Sequence, residues 1–467
     1  MSELKSTNPG RYYEMARKIG GTNDSHLGEI RVESLSEFSN KESAQKIADH
    51  FASISNEFLP INSETLPAFL PAQMPPQVEE YQVYSRLLKI KKSKSTLPLD
   101  LPDELRKECA AHLAAPLTLI LNSCLNHSIY PTLWKQEWVT PVPKITHPKD
   151  ISDLRKISCT SDFSKTFEGF LKDWILEDIS TKLDMGQFGG QKGLGTEHML
   201  VCFIDRILKL LDSHPDKSAV IATSLDWAAA FDRQDPTLAV LKLIEMGVRP
   251  SLIPLLISYL SERKMQVKFN GEMSDFLILI GGGPQGTLLG LLEYLIQSND
   301  NAESVHPEDR FKYIDDLSIL HLILFSGLLV EYDIMKQVPS DIGVDHAFLP
   351  TKEFATQDCI DEISSWTTDN LMKLKEQKCN YMIFSRSSTE FTTRLHINDH
   401  LLERVSSFKL LGVQISEDLS WDKNCQEICR KAYSRISLLT KLKYAGVSIE
   451  DLIEIYILFI RSIAEYC

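Results

Sequence analysis

Positive charge is what this 467-residue chain lacks: 50 Lys and Arg stand against 64 Asp and Glu, a formal net charge of −14. That balance excludes a protein that holds phosphate backbones by its overall field, because such contacts need cations. A locally basic cleft remains compatible with it. Paired cysteines are also missing. The nine Cys are scattered, odd in number and without a CxxC pair, which predicts a reduced intracellular protein, nucleus or cytoplasm left open. Cys425 and Cys429 lie four apart but have no second ligand pair nearby, which argues against zinc. Long apolar runs are absent too. The most apolar, residues 317–330, is too short to span a bilayer and is interrupted by His321, Ser326 and Gly327, and the first residues hold no signal core, so no membrane partner is expected.

What is present describes a globular chain of two to three lobes, 43% hydrophobic and 24% charged. Ser39-Asn40-Lys41-Glu42 has capping-box spacing, and Ala44, Ile47, Ala48, Phe51, Ile54 and Phe58 follow at helical period. Five prolines between 60 and 76 read as a linker, which puts a boundary near residue 78. Pro102 opens a helix whose apolar stripe runs to Leu125. Residues 138–144 read as a short strand ending on Lys144.

From about residue 219 the pattern changes to short apolar runs. Residues 219–225, 276–280, 381–384 and 408–415 are strand-like, and 311–320 reads as a hairpin with Asp315-Asp316 between apolar flanks. Mixed with helices over 236–246 and 361–375, these predict an α+β lobe. Residues 421–467 are helical again, with a basic surface of Arg430, Lys431, Arg435, Lys441 and Lys443.

Carboxylates at the ends of apolar strands are costly unless something pairs with them. Asp226 alone suits a turn, and Asp315-Asp316 alone suits a hairpin cap. Together, with the glycine run Gly281-Gly282-Gly283 between them, they suit a site for two divalent ions roughly 4 Å apart, which need carboxylate oxygens from different strands. The glycine run permits positive φ and close backbone approach to a phosphate or base pair.

Three ordered motifs then resemble the palm of non-LTR retrotransposon reverse transcriptases, the jockey-like group in particular: Ser224-Leu225-Asp226-Trp227-Ala228-Ala229-Ala230-Phe231-Asp232, Gly283-Pro284-Gln285-Gly286-Thr287-Leu288-Leu289-Gly290 and Tyr313-Ile314-Asp315-Asp316. The resemblance covers about residues 80–460. It implies a right-hand polymerase: an N-terminal extension and linker over 1–77, fingers and palm over 78–416, and a partial helical thumb over 417–467. The implied partners are an RNA template, a DNA primer and deoxynucleoside triphosphates, with two Mg2+ (or Mn2+) on Asp226, Asp315 and Asp316. It further implies Phe231 as the ring that excludes a 2′-hydroxyl, and Gln285 and Gly286 against the template. Lys144 and Arg155 would lie on the triphosphate, and Lys378 would be the general acid.

Trp366, Asn370 and Leu371 resemble the fourth palm motif, and residues 408–413 the fifth. The chain departs from the family at Lys156, where Pro is usual, at Gly190 and Gln191, where an aromatic and Arg are usual, and at Lys375, where Asn is common. These departures favour the alternative, an inactive nucleic-acid-binding relic, while the intact carboxylates favour the enzyme. Phe231 argues against an RNA-making polymerase. Full-length elements of this kind carry an endonuclease, which nothing here resembles. The chain ends within an amphipathic helix begun near Ser448, so a piece of a longer product is expected.

Overall fold

The structure is a computed structural model that describes residues 29–67, 73–90, 100–215, 218–324, 355–387 and 393–466. Most of the interval between Asp316 and Trp366 falls outside these residues, as does the segment before residue 29. In chain order the main elements are α1 (Asn40–Ser55), α2 (Glu80–Leu88), α3 (Asp103–Glu108), α4 (Ala110–His127), β1 (Gln136–Pro143), β2 (Leu154–Cys159), α5 (Asp162–Ile179), α6 (Thr196–Ser213), β3 (Ser218–Leu225), α7 (Pro236–Glu245) and α8 (Ile253–Leu260). There follow β4 (Arg263–Phe269), β5 (Glu272–Met273), β6 (Leu277–Leu279), α9 (Leu288–Gln297), β7 (Arg310–Tyr313), β8 (Asp316–Leu324), α10 (Ala355–Asp369) and β9 (Asn380–Ser385). The last are β10 (His396–Ile397), β11 (His400–Leu401), β12 (Glu403–Arg404), β13 (Ser407–Leu410), β14 (Val413–Ser416), α11 (Asp422–Tyr444) and α12 (Ile449–Tyr456). The mixture of helix and sheet is the expected α+β class. No helix among the described residues is long and apolar enough to cross a membrane.

Two sheets organise the molecule. The first has the order β2-β1-β4-β5, with β6 also on β4. Helix α1 covers it, with Ala44, Ile47, Ala48 and Phe51 buried beside Val139, Met265, Val267 and Leu279. The predicted capping box starts α1: the Ser39 hydroxyl accepts the Glu42 N–H while Glu42 reaches back to the Ser39 N–H. The segment before residue 78 therefore shares a core with strands that follow it.

The second sheet has the order β12-β9-β3-β8-β7. Its central strand, β3, is buried on both faces. Ala219, Ile221 and Leu225 join one core with Leu317, Ile319 and Ile383; Val220 and Ala222 join the other with Phe311, Met382 and the α6 residues Met199, Phe203 and Ile207. That double burial explains why residues 219–222 are apolar without a break rather than alternating. Each of the larger apolar side chains among them contributes about 1.5–3 kcal/mol on burial. A third core, from α2, α4, α5, α7, α8 and α9, joins the sheets through residues such as Leu121, Phe167, Val240, Tyr259 and Leu292.

Three local expectations are corrected. The helix opened by Pro102 is two helices, broken at Cys109. Residues 408–415 form a hairpin, β13–β14, turned by Leu411 and Gly412, both at positive φ (45° and 93°). The helix expected over 361–375 ends at Asp369. Beyond it Leu371 takes φ 55°, and the backbone leaves the helix to bond a distant loop: the Ala228 N–H donates to the Lys373 carbonyl and the Lys375 N–H to the Asp226 carbonyl, at 2.8 and 2.7 Å.

Candidate active site

Pairing register brings the carboxylates together. In the antiparallel ladder of β3 and β8, Leu225 faces Leu317, so Asp226 and Asp316 stand one step beyond the last pair. Tyr313 pairs with Asp316 across β7–β8, which leaves Ile314 and Asp315 as a two-residue turn. Facing positions on such a ladder lie about 4.5–5.5 Å apart at Cα. Ile314 adopts φ 58°, costly for a β-branched residue. Gln187 holds it there: its side-chain oxygen accepts the N–H groups of both Ile314 and Gly189, at 3.0 and 2.9 Å. Backbone bonds from the Phe188 N–H to the Lys312 carbonyl and from the Lys312 N–H to the Gly186 carbonyl tie this segment to β7 through a single parallel bridge.

A Cβ at Gly189 would lie 2.5 Å from the Ile314 backbone nitrogen, so backbone must move to admit it. Gly189→Ala is expected to destabilise the fold by about 2 kcal/mol or more and to depress any activity of the turn. Urea unfolding checks this; an unchanged midpoint would mean the turn tolerates displacement.

The electrostatics match the register. Asp315 and Asp316 open to solvent, yet protein packed around them removes enough water to matter. Burial, then Asp315 and Asp226, push the Asp316 carboxyl up to about 6. Burial and Asp226 likewise raise Asp315. Beneath them Tyr294 is buried, its phenol pushed well up by burial and then by Asp315 and Asp316. Asp226 turns instead to Lys378, whose Nζ is 3.6 Å from Oδ2.

As the side chains stand, no three His, Cys, Asp or Glu groups among the described residues close into a metal-ligand set. The donor chemistry nonetheless fits a hard divalent ion: Asp226, Asp315 and Asp316 are three neighbouring carboxylates, and Asp315 and Asp316, raised by burial and then by neighbouring carboxylates, gain from any cation placed among them.

Cations face this cluster. Lys144 follows β1, and its Nζ donates to the Ser152 carbonyl at 2.8 Å. Its ammonium is lowered by burial, then by Lys375 and Arg155, with Asp232 opposing and Lys378 adding. Lys144, Arg155, Lys375 and Lys378 thus share one neighbourhood, and Arg155 also acts on Asp315. The cleft is locally basic on an acidic chain. On the polymerase activity that the motif resemblance implies, substituting Lys378 by Met is expected to slow single-turnover nucleotide addition by about 10–100-fold while duplex affinity stays within about twofold. Rapid-quench kinetics beside equilibrium binding separates the two, and equal loss in both would reduce Lys378 to a screening charge.

The glycine run wraps the loop after Asp226. Gly282 donates to the Gln234 carbonyl and Gly283 to the Phe231 carbonyl, each at 2.8 Å. A Cβ at Gly283 would meet the end of the buried Gln234 side chain, which would have to shift to admit it. Gln285 gives its carbonyl to the Ser158 N–H of β2, and Gly286 sits at φ 112°. Phe231 is half-buried and stacks on Tyr294, centroids 5.0 Å apart at 27°. Of the fourth motif, Trp366 packs edge-on against Trp227 at 5.7 Å, and the Asn370 amide donates to the Trp366 carbonyl.

The cations of α11 are less free than the sequence suggests. Arg430 and Lys431 both pair with Glu427, holding its carboxyl down to about 2, and Arg435 donates to the Phe459 carbonyl. The sequence reading missed Gln187, Tyr294 and Cys379, whose Sγ takes the Asp226 N–H at 3.3 Å. It also left Lys156 unexplained. Only for Gln187 did a signal exist: Gln187-Phe188-Gly189, directly before the departures at Gly190 and Gln191, resembles the same family.

Comparison with known proteins gives the relatives. The chain is 25% identical over 374 residues to the probable RNA-directed DNA polymerase from transposon BS of Drosophila melanogaster, covering 76% of this chain and 38% of that protein. It is 24% identical over 341 residues to the RNA-directed DNA polymerase from mobile element jockey of the same fly, covering 69% and 34%. A 187-residue stretch is 29% identical to the probable RNA-directed DNA polymerase from transposon X-element, covering 39% and 20%. The chain thus spans little more than a third of the length of its best-covered relatives.

Among solved structures, it is similar to telomerase from Candida tropicalis in complex with a fragment of telomeric RNA, at TM-score 0.42 and 10% identity over 78% of this chain and 57% of that one. The apo enzyme truncated from its C-terminal domain gives TM-score 0.38 at 10% identity, over 63% and 55%. No protein-family model matches the chain. In sequence the chain is thus similar to proteins named as RNA-directed DNA polymerases of mobile elements, jockey among them.

Proposed function

We propose that this chain is the polymerase part of a mobile element, a right-hand RNA-directed DNA polymerase with fingers and palm over 78–416 and a helical thumb over 417–467. It would join deoxynucleoside monophosphates to a primer 3′-hydroxyl along an RNA template. The observation that carries this reading is the ladder of β3 and β8, which sets Asp226 beside Asp315-Asp316, with Lys378 paired to Asp226, Arg155 acting on Asp315 and Lys144 in the field of both cations.

The residues divide the work. Asp226, Asp315 and Asp316 would hold two Mg2+ (or Mn2+), which when bound activate the attacking hydroxyl and offset charge on the phosphate. Lys144 and Arg155 bind triphosphate oxygens, Arg155 as a fork and Lys144 as a point charge. Phe231 lies under the sugar and leaves no space for a 2′-hydroxyl. Gln285 and Gly286 support the template base across the glycine loop. Lys378 Nζ gives its proton to the departing pyrophosphate.

Extension of a DNA primer on an RNA template, with magnesium or manganese supplied, is the test. Extension with deoxynucleotides is the expected result. Protein that binds the duplex yet extends nothing under either metal would sink the enzyme and leave a nucleic-acid-binding relic.

A further inference from the structure

A second ionic group lies buried beside the carboxylate cluster. Lys156 Nζ is 3.2 Å from Glu137 Oε1 and 3.7 Å from Asp232 Oδ1, with the three side chains 3%, 1% and 17% exposed. The three come from different places: Glu137 from β1, Lys156 from β2, and Asp232 from the loop directly after Phe231. Burial works against every charge here. It raises the Asp232 carboxyl, but Glu137 and Asp232 together outweigh it at Lys156, whose ammonium is held above its ordinary range. Glu137 stays below its ordinary range because Lys156 and Arg263 outweigh its burial.

The group sits at a joint. In the β1–β2 ladder Lys156 pairs with Pro141 and Arg155 with Val142, and the Lys144 N–H donates to the Asp153 carbonyl at 2.8 Å. Lys144 and Arg155 therefore flank the open end of the strand pair that Lys156 anchors. Asp232 is the neighbour of Phe231, and the field of Lys144 also reaches it. One buried bridge thus connects the element bearing two phosphate-binding cations to the loop bearing the aromatic ring. Apolar packing is tolerant of sliding, whereas a desolvated charge group fixes register, because separating its members leaves a charge uncompensated.

We propose that Lys156 is a positioning residue for the incoming nucleotide: through Glu137 and Asp232 it sets the spacing between Lys144 and Arg155 on one side and the Phe231 ring on the other. The inference rests on the polymerase reading for the ligand, a deoxynucleoside triphosphate. It also accounts for the departure at this position, since the usual Pro offers no cation.

The test uses the full chain with an RNA template and a dideoxy-terminated DNA primer, so that nucleotide binding is read without chemistry. Lys156→Met keeps length and removes charge. It is expected to weaken deoxynucleoside triphosphate binding about tenfold, while kcat on an extendable primer at saturating nucleotide falls less than about threefold. Lys156→Arg should restore affinity to within about threefold of wild type. Asp232→Asn cuts only the palm end of the bridge and serves if Lys156→Met does not fold; it should weaken binding in the same direction.

Thermal unfolding accompanies each variant. Lower melting temperatures with unchanged affinity would make the bridge structural only and overturn the proposal, as would a wild-type protein that binds no deoxynucleoside triphosphate. Wild type that binds nucleotide but never extends defeats the polymerase reading alone, and the affinity ratios still decide the role of Lys156.

Discussion

Asp315→Asn is expected to lower primer extension by at least about 10³-fold, below detection in most assays, because it removes a carboxylate from the pair on which two-ion chemistry depends. The fold should survive. Asp315 lies at the hairpin tip, open to solvent, and its carboxylate is unfavourable where it stands, being raised by burial and by Asp226. Asn keeps the shape and removes a repelling charge, so the melting temperature in metal-free buffer should hold or rise.

The pH dependence carries a second signature. Folded Asp316 keeps its proton up to about 6, against an ordinary 3.8. The folded state therefore binds that proton more tightly than the unfolded chain. The stability it contributes is fully present below about 4, declines as pH rises through about 6, and is absent at neutral pH. After burial, Asp315 is the largest cause of the shift, so Asp315→Asn should flatten this slope in metal-free buffer. Thermal unfolding from pH 4 to pH 7, beside extension assays, measures both effects. Retained extension would remove Asp315 from the chemistry.

Phe231→Ala should admit ribonucleotides, with discrimination between the two sugars falling about 100-fold, since a cavity cannot reject a hydroxyl that a ring excludes. The same change costs stability. Phe231 stacks on buried Tyr294, which itself lies under Asp315 and Asp316, and loss of the ring should destabilise the protein by about 2–4 kcal/mol. The double role makes the outcome decisive. A purely structural ring would lower the melting temperature and leave sugar choice untouched in single-nucleotide incorporation with each triphosphate.

The parts legible in the sequence were those where chemistry is local. Residues 219–225 announce a strand, and the charged pair inside 311–320 announces a hairpin tip; β3 and β7–β8 appear there. The capping box of α1 is a four-residue signal and was read as such. The parts not legible depend on distant partners. Nothing near Leu371 says that the helix must stop so that Lys375 can bond the Asp226 carbonyl. Gln187 has no visible purpose until Ile314 arrives beside it. Lys156 looks like any surface cation until Glu137 and Asp232 enclose it. The sequence likewise shows Arg430 and Lys431 as free charges, because their common partner Glu427 is apparent only once helical spacing is applied to it.

The order of the second sheet bears on how the protein is made. Strand β3 must find β8, nearly a hundred residues later, and β9 later still; the bond from the Asp226 N–H to Cys379 closes 153 residues. Pairings so distant are slow to form, and strands that await them expose unpaired edges. During synthesis β3 would emerge long before either neighbour, apolar on both faces. The reactive centre therefore cannot assemble until most of the chain has left the ribosome. Slower translation or chaperone binding between residues 225 and 380 should raise the yield of soluble protein more than the same intervention within the helices that precede β3.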